Sequence, residues 1–259
     1  MLLPFHQIDA FSDKPFAGNP AVVYRLEHWL EDGLMQQIAA EHNLAETAFV
    51  VKEGIAWRIR WFTPTTEVPL CGHATLASAH ALFECHGEPG ERIDFDYVDG
   101  TLSVGREGDR LVLDFPCVQP TPIATPRGLA EILGQVPVAV LDAPQLLVVL
   151  ESAAAVRACQ PDLRALAQLP WSAVIVTAKG ETVDFVSRNF APAVGIDEDP
   201  VTGSAHCILT PYWVQQLGKA ELSAYQGGAR GGFLWCRLNG ERVAIAGQAR
   251  VVSSGQLYL

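Results

Sequence analysis

The sequence predicts an α+β chain of two similar halves, each a curled, mostly antiparallel sheet around a central helix. Two features of the sequence carry this expectation. Arg60-Trp61-Phe62-Thr63-Pro64 recurs as Arg188-Asn189-Phe190-Ala191-Pro192, the pattern R-x-F-x-P, 128 residues further along a chain of 259. Each copy is followed by an acidic, proline-bearing loop, then a glycine and a run of small residues. The first loop is Glu67-Val68-Pro69-Leu70-Cys71-Gly72-His73-Ala74-Thr75, and the second is Asp197-Glu198-Asp199-Pro200-Val201-Thr202-Gly203-Ser204-Ala205-His206. A second shared feature at similar spacing favours duplication over coincidence.

The elements follow in order. Ile55, Trp57, Ile59 and Trp61 alternate ahead of the first motif, and Val183, Phe185 and Ser187 do so more weakly ahead of the second, so both motifs end strands. Glu31 to Glu41 reads as an ordinary amphipathic helix. Ala74 to Leu82 is helix-compatible but has no charged face, so it is buried on every side and a sheet must curl around it. Ser204 to Gln216 is similarly poor in charge, with Gly218 as its stop and Pro211 expected to kink it or mark an early turn. Leu146 to Leu150 reads as a buried strand. Prolines crowd the segment from Pro116 to Pro126, which sets the halves at residues 1–117 and 118–259; the last strand, near residues 250–259, is free to return to the first half.

Composition excludes several classes. Apolar residues are 49% and charged residues 18%, enough for a sizeable core and too apolar for disorder. The net charge is −11, with no basic stripe for nucleic acid. The N-terminus has no basic region leading into a long apolar stretch, and no run approaches the roughly 20 apolar residues that span a bilayer, so a cytoplasmic protein is expected. Six cysteines (Cys71, Cys85, Cys117, Cys159, Cys207 and Cys236) are scattered without a C-x-x-C pair, which argues against a zinc site or a disulfide framework.

Two buried helices that each open on a glycine turn have a chemical consequence. Their first N–H groups lack helical partners and carry partial positive charge, which suits carboxylates or phosphates. With the halves facing each other across a pseudo-twofold axis, both helix starts would point into one cleft, a site for a small anionic substrate.

Several segments carry a family resemblance: Gly18-Asn19-Pro20-Ala21-Val22-Val23, Glu46-Thr47-Ala48-Phe49, Arg60 through Ala79, Ser187 through Pro192, Glu198 through His206, and Gln226-Gly227-Gly228-Ala229-Arg230-Gly231-Gly232. In this order they resemble the phenazine-biosynthesis PhzF-like isomerases. More distantly the chain is similar to diaminopimelate epimerase and proline racemase, whose fold is two half-domains of curled sheet around a helix.

The resemblance implies roles that the residues alone do not. Glu46 reads by itself as a solvated glutamate near a helix end; the family's acid/base glutamate falls at this position. A buried carboxyl group can take a proton from one carbon and return it to another. His73, otherwise a cap or core residue, would contact the substrate. Asp199, otherwise a helix-capping residue, would be a binding and proton-relaying carboxylate. Gly72, Gly203 and Ser204 would offer N–H groups to a substrate carboxylate. Asn19 either lines the cleft or caps its turn, and Arg230 either binds an anion or ties down a loop. His206, Cys207, His80 and Cys85 read as packing residues. The resemblance implies no cofactor and no metal, a small anionic substrate, and a homodimer, with neither nucleic acid nor membrane as partner.

Cys71 fits the first of the two thiols that racemase relatives use as base and acid, since it precedes the glycine of a helix start. The matching place in the second half holds Pro200 or Val201, neither of which transfers protons, and this disfavours two-thiol racemisation. Two rivals remain: an amino- or hydroxy-acid epimerase using Cys71, and a binding protein that has kept the fold without catalysis.

Overall fold

The computed structural model describes residues 1–259. The chain begins with β1 (Leu2–Ala10), β2 (Asn19–Leu26), α1 (Asp32–His42), β3 (Glu46–Glu53), β4 (Ala56–Phe62), β5 (Glu67–Val68), α2 (Gly72–His80), β6 (Arg92–Tyr97), β7 (Gly100–Glu107) and β8 (Arg110–Pro116). It continues through β9 (Thr121–Ile123), α3 (Leu129–Leu133), β10 (Ala139–Asp142), β11 (Leu146–Val149), α4 (Ala153–Ala158), α5 (Leu163–Leu166), β12 (Val174–Lys179), β13 (Phe185–Ala191) and β14 (Ile196–Asp199). The last elements are α6 (Gly203–Leu217), β15 (Glu221–Gly227), β16 (Gly231–Asn239), β17 (Arg242–Gly247) and β18 (Ala249–Tyr258). Two units result: Met1–Asp114 together with Ala246–Leu259, and Phe115–Ile245. No helix is long and apolar enough to cross a membrane.

Within the first unit, β18 pairs antiparallel with β1, β1 antiparallel with β2, β2 parallel with β3, β3 antiparallel with β4, β4 parallel with β6, and β6 antiparallel with β7. The second unit repeats these relations as β9–β10, β10–β11, β11–β12, β12–β13, β13–β15 and β15–β16. The two short strands β5 and β14 flank β4 and β13 in the same antiparallel sense. The fold is therefore α+β with mixed, largely antiparallel pairing.

Helix α2 explains why the sheet curls. It touches β18, β1, β2, β3 and β7, strands from both ends of the pairing order, and every side chain from His73 to Ala79 is buried. Its polar members solve their own burial: Thr75 Oγ1 donates to the Cys71 carbonyl at 2.6 Å, and Ser78 Oγ to that of Ala74 at 2.7 Å. On the outside of the sheet, Met35, Ile38 and Ala39 of α1 pack against Val22, Tyr24, Phe49 and Phe62. In the second unit α3, α4 and α5 supply the corresponding outer layer, through residues such as Leu133, Val156 and Leu166.

The repeated motif is a brace. Arg60 lies over the ring of Phe62 and grips both carboxylate oxygens of Glu67 at 2.7 Å. Arg188 lies over Phe190 and grips Glu198 in the same forked way, at 2.7 and 2.8 Å. Arg188 also donates to the Cys159 carbonyl at 2.5 Å, which ties the segment after α4 to the sheet. Gly228 packs so closely on this pair that a Cβ there would sit 2.3 Å from a Glu198 oxygen, so a larger residue would have to push the carboxylate aside from Arg188.

Two expectations need correction. Ile55 is not part of the alternating strand; it stands fully exposed in the turn that joins β3 to β4. Pro211 does not mark an early turn, one of the two outcomes expected of it, since α6 runs through it from Gly203 to Leu217 and stops at Gly218, whose φ is 68°. A helical proline leaves the carbonyl four residues earlier without its partner. Here that carbonyl, on Cys207, accepts from the Val118 N–H at 3.1 Å. The chain segment before β9 repairs the helix.

Candidate active site

Glu46 owes its place to the end of α1. Asn43 closes that helix in a left-handed conformation (φ 48°), its N–H bonded to the Ala39 carbonyl, and the chain enters β3 three residues later. Register with β2 then sets Glu46 beside Ala21, two residues past Asn19. Gly18, at φ 64°, turns the chain into β2 so tightly that a Cβ would lie 2.1 Å from the Ala10 carbonyl oxygen. Cys71 is the extended residue before α2, and His73 is in its first turn.

These local constraints bring Asn19, Glu46, Cys71 and His73 into one buried cluster within the first unit. The His73 ring is its hub. Nε2 is 3.0 Å from Glu46 Oε2, an ion-pair distance whose angle falls short of a hydrogen bond. Nδ1 is 3.1 Å from Asn19 Nδ2 and 3.5 Å from Cys71 Sγ. All four residues are buried, Asn19 completely. Burial opposes charge on the ring, but the neighbouring Cys71 and Glu46 outweigh it, so His73 holds its proton well above the ordinary imidazole range. Burial, reinforced by the Glu46 charge, pushes the Cys71 thiol up.

The donor atoms of Glu46, Cys71 and His73 lie within 4.8 Å of one another, a set of atoms whose chemistry suits a divalent cation. The direct contacts of the two acidic groups lie on opposite sides of the ring, the thiol at Nδ1 and the carboxylate at Nε2. The same geometry suits proton handling, with acid/base groups at both ends of an imidazole.

Asp199, Gly203 and Ser204 belong to the second unit. Asp199 ends β14, and its Oδ2 accepts from Thr202 Oγ1 at 2.5 Å. Gln226 locks this turn: its Oε1 accepts from Thr202 N–H, and its Nε2 donates to the Asp199 carbonyl and to Thr202 Oγ1. Gly203 is the first residue of α6, and Ser204 follows it as His73 follows Gly72. Ser204 Oγ accepts from Gln145 Nε2 at 2.9 Å, and Gln145 Oε1 accepts from Asn189 at 2.7 Å. Gln145 was not among the residues singled out in the sequence. Its only signal there is position, directly before β11, much as Asn19 opens β2.

The two units differ where chemistry is concerned. The strand β3 opens on Glu46, whereas its counterpart β12 opens on Val174. His206, one turn into α6, is buried, and its proton affinity is pushed down to about 4. It bonds the Thr202 carbonyl through Nδ1 and is tilted against Phe185, so it acts as a neutral packing residue. The Arg230 carbonyl accepts from Gly228 N–H within the turn joining β15 and β16.

Comparison with known proteins supplies the class. The model of the phenazine biosynthesis-like protein family matches residues 8–255. An uncharacterized isomerase of Pseudomonas aeruginosa is 64% identical over 260 residues, covering all of both chains. The crystal structure of a phenazine biosynthesis protein of the PhzF family from Enterococcus faecalis superposes with a TM-score of 0.99 at 45% identity, again over all of both chains. At 10% identity, a probable proline racemase from Agrobacterium radiobacter shares the fold, with a TM-score of 0.65 over 99% of this chain and 93% of that one. The chain belongs to the phenazine biosynthesis-like (PhzF) family, and it is an isomerase of that family.

Proposed function

We propose that the protein moves a proton between two carbons of a small carboxylate-bearing substrate, cyclic or acyclic, without a cofactor. Glu46 is the acid/base: its carboxylate takes a proton from one carbon, the C–H electron pair shifts across an adjacent double bond, and the carboxyl group returns the proton at the far end of the allylic system. Atoms and charge balance, and Glu46 ends as it began. The observation behind this reading is the contact of His73 Nε2 with Glu46 Oε2 at 3.0 Å inside a buried cluster. The His73 ring stands against this carboxylate, and burial removes the water that would compete.

Asp199, Ser204 and the N–H groups of Gly72 and Gly203 are assigned to substrate binding, the glycines as donors suited to a carboxylate. A single acid/base favours isomerisation over racemisation by two opposed groups, because Val174 opens the strand that corresponds to the one Glu46 opens. Epimerisation through Cys71 is the second reading, favoured by the 3.5 Å approach of its sulfur to His73 Nδ1. Its burial and raised proton affinity count against it as the first base.

A panel of small cyclic, hydroxy and amino acids incubated with the protein in heavy water tests the proposal. At least one acid is expected to take up deuterium at carbon only in the presence of enzyme. Loss of that uptake in Glu46→Gln with retention in Cys71→Ser supports Glu46 as the base; the reverse pattern supports the epimerase reading. Uptake by no member of the panel favours a binding protein.

A further inference from the structure

A neutral imidazole carries its proton on either nitrogen, and the partners of the ring decide which. His73 is buried with partners on both sides, and the two at Nδ1 differ in what they can do. The amide nitrogen of Asn19, 3.1 Å away, donates and cannot accept. The sulfur of Cys71, 3.5 Å away, can do either. On the far side, Nε2 faces the Glu46 carboxylate, which accepts.

We infer that Asn19 and Cys71 are positioning residues with divided roles at Nδ1 of His73: Asn19 makes Nδ1 an acceptor in the neutral ring, so that the proton sits on Nε2 towards Glu46, and Cys71 receives the Nδ1–H when the ring is charged. Asn19 then acts through His73 rather than on the substrate. The arrangement gives Nδ1 a partner of the right sense in either state of the ring, a donor from Asn19 when it is bare and the Cys71 sulfur when it is protonated. The groups that face the ring are Asn19 from β2, Glu46 from β3 and Cys71 from the start of α2. Backbone placement supports a built device. Gly18 and the β1–β2 register fix Asn19, and Cys71 is held by the Thr75 N–H and hydroxyl on its carbonyl.

The inference rests on the reading of Glu46 as the base, but its test needs no substrate. Nitrogen-15 NMR of the histidine rings distinguishes protonated from bare nitrogens, with His73 assigned by comparison with His73→Gln. In the wild type, once the pH is high enough to neutralise the ring, Nε2 should be protonated and Nδ1 bare. In Asn19→Asp, whose carboxylate accepts, Nδ1 should carry a proton at a pH where the wild type does not. Cys71→Ala should lower the pH at which the ring loses its charge, and Cys71→Ser should return it most of the way. A merely structural role for either residue moves none of these signals. A wild-type neutral ring with its proton on Nδ1 overturns the inference without needing any variant to fold. So does an Asn19→Asp protein that keeps Nδ1 bare. Failure of Glu46→Gln to reduce deuterium uptake would instead remove the functional reading and leave this measurement standing.

Discussion

At the scale of single residues, the cluster around His73 is the part the sequence disclosed least. Asn19, Glu46 and His73 are far apart in the chain, and no periodicity joins them; only the β2–β3 register and the helix start do. Glu46 and His73 were legible through family resemblance, and the partnership of Asn19 and Cys71 at Nδ1 was not legible at all. A consequence for stability follows from the ring. His73 holds its proton in the folded state above the ordinary value of 6.5, so its contribution is fully present below that pH and is lost as pH rises through the folded value. Urea unfolding of wild type and His73→Gln across pH should show the wild-type advantage shrinking as pH climbs above about 6.5. An advantage that grows with pH would contradict the charge state assigned to the ring.

At the scale of elements, the buried helices were readable because a helix without a charged face has nowhere to go but inside. Pro211 marks no early turn for a local reason: proline's cost is a lost hydrogen bond, and the Val118 N–H that satisfies the Cys207 carbonyl comes from a segment no helix pattern reveals. Ile55 misled because alternation continues through a tight turn in sequence but not in space. The R-x-F-x-P repeat was legible as a pattern, whereas the glutamates that complete its two braces needed the structure. These braces differ in burial: the Arg188 and Glu198 side chains are 12% and 24% exposed, against 26% and 42% for Arg60 and Glu67. Arg188→Met should therefore destabilise by up to about 3 kcal/mol, since it strands a partly buried glutamate. Arg60→Met should cost roughly 1 kcal/mol or less. Equal losses in chemical denaturation would show that burial does not separate the two. In the central helix, Leu76 is fully buried, and Leu76→Ala should cost about 2–5 kcal/mol.

At the scale of the whole molecule, duplicated strand pairings carry unequal chemistry: the same architecture holds a titratable cluster in one unit and the uncharged Gln145–Ser204 pair in the other. The account needs no metal for turnover. Protein purified without added metal should retain its deuterium-exchange activity after chelation, and stoichiometric zinc whose removal abolished exchange would contradict the proton-handling reading of Glu46, Cys71 and His73. The most direct test of the central claim compares wild type with Glu46→Gln in heavy water, on whichever acid exchanges. Glutamine keeps the size of the side chain and removes its transferable proton. The account predicts that deuterium incorporation falls by roughly 10²- to 10⁴-fold, with folding and substrate affinity little changed. Exchange at the wild-type rate in a folded Glu46→Gln protein would contradict it.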